Sequence, residues 1–208
     1  MKESTRELTR FSLFAAIIVL LSVTPLGYIS LGVINATTIQ MPVIIGAILF
    51  GWKKGASLGL VFGITSMLKN TIQPNVTSFV FSPFIPVLGE ESGSLFAVLI
   101  SLLPRIMIGI IAGLLFNLLC KTELNRAISC GICGFCGSMA NTVLVMSGIY
   151  LFFGESYSAA KDIAYETLIN TVSATITGAG ITEAIVSAVI CAAICVPLFK
   201  LKTMEKCN

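Results

Sequence analysis

The sequence contains no histidine, a single tryptophan, and only 11% charged residues among its 208. Without histidine there is no HExxH pair and no imidazole to hold a metal or relay a proton, and no apolar stretch carries a pair of aspartates. Intramembrane hydrolysis therefore lacks its reacting groups. No GxxxxGK[ST] loop occurs either, so the chain has no phosphate-binding loop of its own. The charge content lies far below the roughly 25% of soluble domains, while 56% of the residues are hydrophobic. This is the composition of an integral membrane protein. The net charge of +3 comes from basic residues at the edges of apolar runs and not from a contiguous patch, which excludes nucleic acid as a partner.

Seven cysteines are present, an odd number, and Cys130, Cys133 and Cys136 follow one another at two-residue intervals. Such spacing is known from metal and redox sites. Here glycines and apolar residues surround them and no histidine completes a ligand set, so they read as small hydrophobes in a packed helix. The sequence calls for no metal and no cofactor.

What is present in abundance is apolar run, and residues 94–120 form the one on which the rest is organised. At about 1.5 Å per residue it is long enough to cross roughly 30 Å of hydrocarbon. Arg105, just after Pro104, lies about 16 Å along it. A guanidinium at that depth requires a partner. Steps of four residues from Arg105 reach Gly109, Gly113 and Asn117, so the charge shares a face with small residues that admit a neighbouring backbone.

The other apolar runs place spans at about 11–26, 37–50, 55–68, 127–153 and 178–199, giving one membrane domain over 1–208. The first is retained as a helix, since no small-x-small cleavage pattern follows it; Ser12 and Ala16 stand four apart on it, suited to close helix contact. Residues 27–36 read as a short turn-rich segment. The third span carries Gly55, Gly59 and Gly63 on one stripe, then passes into a polar stretch, 69–78, and into Phe79, Phe81 and Phe84 among prolines. That reads as a structured loop of the kind that covers or forms a binding site. Residues 154–177 read as a polar connection with a short interfacial helix.

Six spans put both termini on one side. With the N-terminus cytoplasmic, Lys2, Arg6, Arg10, Lys53, Lys54, Lys121, Arg126, Lys200, Lys202 and Lys206 lie inside, ten of thirteen positive residues. The positive-inside bias supports this orientation. The expected fold is an all-α six-transmembrane-helix bundle in the cell membrane with both ends cytoplasmic.

That topology gathers Asn35, Thr37, Gln40, Asn70, Asn75, Arg105, Asn141 and Glu183 in the outer half, over an inner half that is mostly apolar. A blind, outward-facing pocket is expected, not a channel. Each residue has a structural alternative: Arg105 and Glu183 as a buried ion pair, Asn35, Gln40 and Asn70 as caps, Asn141 as a hydrogen bond between helices, the phenylalanines as anchors.

Six short helices, a basic N-terminus, a small-xxx-small first helix and polar outer loops resemble the substrate-binding S components of energy-coupling factor (ECF) vitamin transporters. The stretch LGVINATTIQMPVIIG (31–46), the stretch TSFVFSPF (77–84) and Pro104-Arg105-Ile106 are similar to the branch usually assigned to pantothenate. The resemblance implies a subunit that captures a vitamin from outside and docks on a transmembrane coupling subunit driven by two cytoplasmic ATPase subunits. It implies docking through the first helix, where Ser12 and Ala16 stand in place of the family's Ala-xxx-Ala pair.

Pantothenate is a small carboxylate with an amide and two hydroxyls and no ring. One cation and several amide and hydroxyl partners suit it. A riboflavin or folate ring would call for aromatic stacking, for which Phe79, Phe81, Phe84 and Tyr28 are available, and cationic thiamine would make Glu183 the counter-charge and Arg105 awkward. Outside this class, a self-sufficient ion-coupled secondary transporter would use Arg105 and Glu183 as a proton-linked pair, and a structural subunit would bind no vitamin.

Overall fold

The computed structural model describes the backbone of residues 3–31 and 34–206, and the side chains of 5–27 and 37–199. The side chains of Asn35, Lys200, Lys202 and Lys206, and Lys2 as a whole, lie outside the described residues. The chain forms α1 (Glu3–Val23), a two-stranded antiparallel hairpin of β1 (Tyr28–Leu31) and β2 (Ile34–Thr37), then α2 (Gln40–Phe50) and α3 (Trp52–Ile72). After a loop holding one short 3-10 turn come α4 (Phe96–Leu119), α5 (Arg126–Ala160), α6 (Tyr165–Thr175) and α7 (Ile181–Lys206). Among the described residues, three helical stretches are long and apolar enough to cross a membrane: Phe96–Leu119, Arg126–Ala160 and Tyr165–Phe199. The chain is a helical membrane protein.

Local chemistry explains the boundaries. Thr24 precedes Pro25, and the residue before a proline is driven from helical geometry, so α1 stops at Val23. Gly51, at φ 89°, reverses the chain between α2 and α3, a conformation that a side chain would strain. Asn125 caps α5 by accepting the Ala127 N–H at 2.9 Å.

Two expectations need correction. Residues 28–37 are a β hairpin, not a run of turns, set in an otherwise all-helical fold. The last long helix starts at Tyr165, not near Gly178: α6 passes through a π turn, Ile176–Gly180, straight into α7. Residues 165–177 looked too polar for this. Their hydroxyls, however, bond back within the helix, Thr171 to Thr167 O, Thr175 to Thr171 O at 2.8 Å and Thr177 to Ser173 O at 2.8 Å, which leaves little polarity to solvate. α5 likewise runs beyond residue 153 to Ala160, kinked at Phe153.

α3 and α4 pack antiparallel, as do α5 and α7, and their tightest contacts are made by glycine. Gly55, Gly59 and Gly63 of α3 lie against Gly109, Arg105 and Ser101–Leu102 of α4. A methyl group on Gly59 would run into the Arg105 carbonyl oxygen and come within 2.9 Å of Ile106 Cα, a collision with backbone that no rotamer relieves. Gly134 of α5 meets Ser187 and Ala188 of α7 in the same manner.

Two apolar clusters result. One, at the end of the bundle that holds Gly51 and the α4–α5 connection, contains Phe116, Cys130, Cys133, Cys191 and Cys195 with Ile44, Ile48 and Leu58. The cysteines are free thiols packed as hydrophobes. The other, at the hairpin end, contains Phe79, Val80, Ile100, Val145, Ile149, Phe153 and Leu168. Between them the packing opens.

Candidate functional site

The opening is a cavity of about 280 Å³, near the lower end of the roughly 300–1,000 Å³ usual for small-molecule sites. Five helices and strands and one loop contribute to it. Thr37 comes from the end of β2, Phe62, Ser66 and Asn70 from the last turns of α3, Asn75 and Phe81 from the loop, Arg105 from α4, Asn141, Thr142, Val145 and Met146 from α5, and Glu183 from α7. It lies at the end of the bundle where α2, α4 and α7 begin and α3 and α5 finish.

Arg105 is only 7% exposed. Its Nη1 donates to Ile100 O at 2.8 Å, and its guanidinium carbon sits 5.1 Å from the Phe81 ring centre and 5.6 Å from that of Phe62. Two aromatic rings thus hold the charge by cation–π attraction at the cavity wall. This gives Phe81 a definite task. Of the other phenylalanines of the loop, Phe79 is buried edge-on against Phe153 and Phe84 is exposed, so neither lines the cavity.

Asn141 is 9% exposed, and its Oδ1 has no hydrogen-bond partner among the described residues. A buried amide oxygen left open costs about 1–3 kcal/mol, which a ligand N–H or O–H would recover. The mid-helix asparagine thus lines the cavity with an open acceptor, and no hydrogen bond joins it to another helix among the described residues.

The remaining polar groups are already engaged. Glu183 Oε1 accepts the Thr37 N–H at 2.7 Å, while the Arg105 charge acts on the same carboxylate through space. Asn70 donates to Ser66 O and accepts from Ser78 Oγ, both at 2.9 Å, and Asn75 Oδ1 accepts from Thr77 N at 3.0 Å. These bonds fold the loop after α3 back onto the helix and set the rim.

Six of the eight expected ligand-binding residues, Thr37, Asn70, Asn75, Arg105, Asn141 and Glu183, line one cavity. Gln40 does not. It is fully buried beside the cavity's inner end and donates to Ser138 Oγ at 2.8 Å and Ser187 Oγ at 3.3 Å, tying α2 to α5 and α7. Asn35 belongs to β2, and its side chain lies outside the described residues. Ser12 and Ala16 sit on the exposed face of α1, away from the bundle. The reading of residues missed Phe62, Ser66, Thr142, Val145 and Met146, which carry no charge and look like ordinary lipid-span residues; helical spacing from Asn141 to Val145 and from Phe62 to Ser66 and Asn70 is the signal that points to them.

With the site in place, its relatives can be compared. Residues 6–199 match the family of the ECF transporter, substrate-specific component. Among individual proteins, the pantothenic acid transporter PanT of Lactococcus lactis subsp. cremoris is 38% identical over 158 residues, covering 73% of this chain and 78% of that protein. The pantothenate transporter PanT of Leuconostoc mesenteroides subsp. mesenteroides is 32% identical over 151 residues, covering 68% of this chain and 67% of that protein. The chain belongs to the family of ECF transporter substrate-specific components.

Proposed function

We propose that the chain captures pantothenate in this cavity and passes it to an ATP-driven ECF importer. The observation that carries the reading is the pairing of a buried, aromatic-held Arg105 with an unpartnered Asn141 Oδ1 in one small enclosure. Arg105 offers two-pronged donation to the carboxylate. Asn141 Oδ1 accepts from the amide N–H or a hydroxyl, and Thr142 and Ser66 supply further polar contacts for the diol. The transporters similar to this chain carry pantothenate in their names, which supports the same choice.

The alternatives fit less well. Phe62 and Phe81 face the guanidinium and are not available to sandwich a flavin or pterin ring. A cationic thiamine would meet Arg105.

In this reading α1, α2, α3, α4, α5 and the joined α6–α7 helix cross the cell membrane, with both termini cytoplasmic and the cavity facing outward. The apolar cluster with Phe116 and Cys195 closes the cytoplasmic side, so release inward requires the coupling subunit and its two ATPase subunits. Ser12 and Ala16, exposed on α1, form the contact for that subunit.

The test is direct binding of pantothenate by the purified chain, read by calorimetry, with mass spectrometry of any copurified molecule. Stoichiometric binding that riboflavin, folate and thiamine fail to displace is expected. Binding of one of those instead, or uptake by proteoliposomes holding this chain alone and abolished by an uncoupler, overturns it.

A further inference from the structure

At its open end the hairpin is tied by Thr38 Oγ1, which donates to Leu26 O at 2.6 Å, and by a side chain from far along the chain. In an antiparallel pair, hydrogen-bonded and non-hydrogen-bonded residue pairs alternate. Thr38 N donates to Gly27 O at 3.1 Å, which makes Tyr28 and Thr37 the next, non-hydrogen-bonded, pair. The Thr37 N–H therefore points away from β1, out of the hairpin's edge. It finds Glu183 Oε1 at 2.7 Å, a residue 146 positions later in the chain.

The position of Glu183 is itself set by an irregularity. The π turn Ile176–Gly180 inserts one residue into the α6–α7 helix just ahead of it. β2 packs against that turn. Gly180 fits against Thr142 of the cavity wall, where an added methyl would come within 2.9 Å of Thr142 Cγ2. From there the helix presents Glu183 to the cavity and to Thr37, with Ser187, Cys191 and Cys195 continuing its stripe into the buried side. Thr37 and Glu183 both line the cavity, so the bond between them lies along its edge.

We infer that Glu183 is a positioning residue: as an acceptor for the Thr37 N–H it holds the end of β2 at the cavity's edge and so sets how long a ligand stays. The inference about residence time rests on the capture of pantothenate proposed above; the inference about the hairpin does not. What matters is the acceptor oxygen, not the negative charge, and this separates the role from that of a counter-ion to Arg105 or a direct carboxylate contact.

The experiment has two readouts on the full chain in lipid nanodiscs. Hydrogen–deuterium exchange of peptides covering 28–38 is measured without ligand for wild type, Glu183→Ala, Glu183→Gln and Thr37→Pro. Pantothenate dissociation is then followed in rapid mixing. Glu183→Ala is expected to speed hairpin exchange at least about ten-fold, the effect of about 1.4 kcal/mol of lost closing energy, and to raise the dissociation rate by a similar factor with little change in association. Glu183→Gln, which keeps the acceptor, stays near wild type in both. Thr37→Pro, which removes the donor and leaves the carboxylate, follows Glu183→Ala. Unchanged exchange in Glu183→Ala overturns the inference, as does Glu183→Gln behaving like Glu183→Ala. Absence of pantothenate binding by the wild-type chain would strike the proposed ligand alone, with hairpin exchange still deciding the role of Glu183.

Discussion

Arg105 Nη1 bonds to the carbonyl oxygen of Ile100 at 2.8 Å, and the residue between them in the logic of the helix is Pro104. In an unbroken helix the amide of residue 104 would donate to that oxygen, but proline has no N–H. The proline thus opens a carbonyl inside the membrane-spanning α4, and the neighbouring guanidinium takes it. One irregularity both satisfies the freed backbone group and fixes the direction of the charge.

Pro104→Ala should therefore separate stability from binding. The restored amide competes for Ile100 O, so the thermal midpoint of the purified chain rises while Arg105 loses an anchor. Losing one hydrogen bond of about 1 kcal/mol predicts roughly five-fold weaker pantothenate binding by calorimetry. A midpoint and an affinity that fall together would show that the proline is needed for packing instead.

Arg105→Ala is expected to weaken binding by more than about ten-fold, or about 1.4 kcal/mol, with the chain still folded. Arg105→Lys should recover little of it. An ammonium lacks the planar fork for a carboxylate and the flat face that lies against Phe62 and Phe81. Titration of both variants against wild type checks this, and full rescue by lysine would reduce the role of Arg105 to charge alone.

Much of this was readable from residues because charge and amide groups are rare in an apolar chain. Arg105, Asn141, Asn70 and Glu183 stood out against leucine and glycine, and period and topology brought them to one depth. The hairpin was not readable: residues 28–37 carry no charge, and the acceptor that meets the outward Thr37 N–H lies far along the chain on α7. Gln40 misled for a related reason. Its polarity was plain, but its partners, Ser138 and Ser187, are two hydroxyls among many, and nothing local distinguishes a core bond from a cavity group. The long final helix escaped because threonine hydroxyls that bond within their own helix look the same in sequence as threonines that face water.

Asn141→Leu tests the opposite property from a structural residue. Removing an unpaired buried oxygen relieves a cost of about 1–3 kcal/mol, so the ligand-free chain should melt at the same temperature or higher. Pantothenate binding should fall, and the thermal shift that the vitamin produces in wild type should shrink with it. A large loss of ligand-free stability would mean that Asn141 bonds within the bundle.

Ser12 and Ala16 allow binding to be separated from transport. Both lie on the exposed face of α1, and neither touches the cavity. Leu13, Leu20 and Val23 are exposed around them, so the pair forms a shallow groove of small residues in an apolar surface. Such a groove lets another helix approach closely, and a bulky side chain fills it. Ala16→Trp should leave pantothenate affinity within about two-fold of wild type, as expected for a surface change far from the site. ATP-driven uptake in proteoliposomes holding the coupling and ATPase subunits should fall at least about ten-fold, if close approach supplies as little as 1.4 kcal/mol of the association. Uptake that survives the tryptophan would place the docking contact on another face of the bundle.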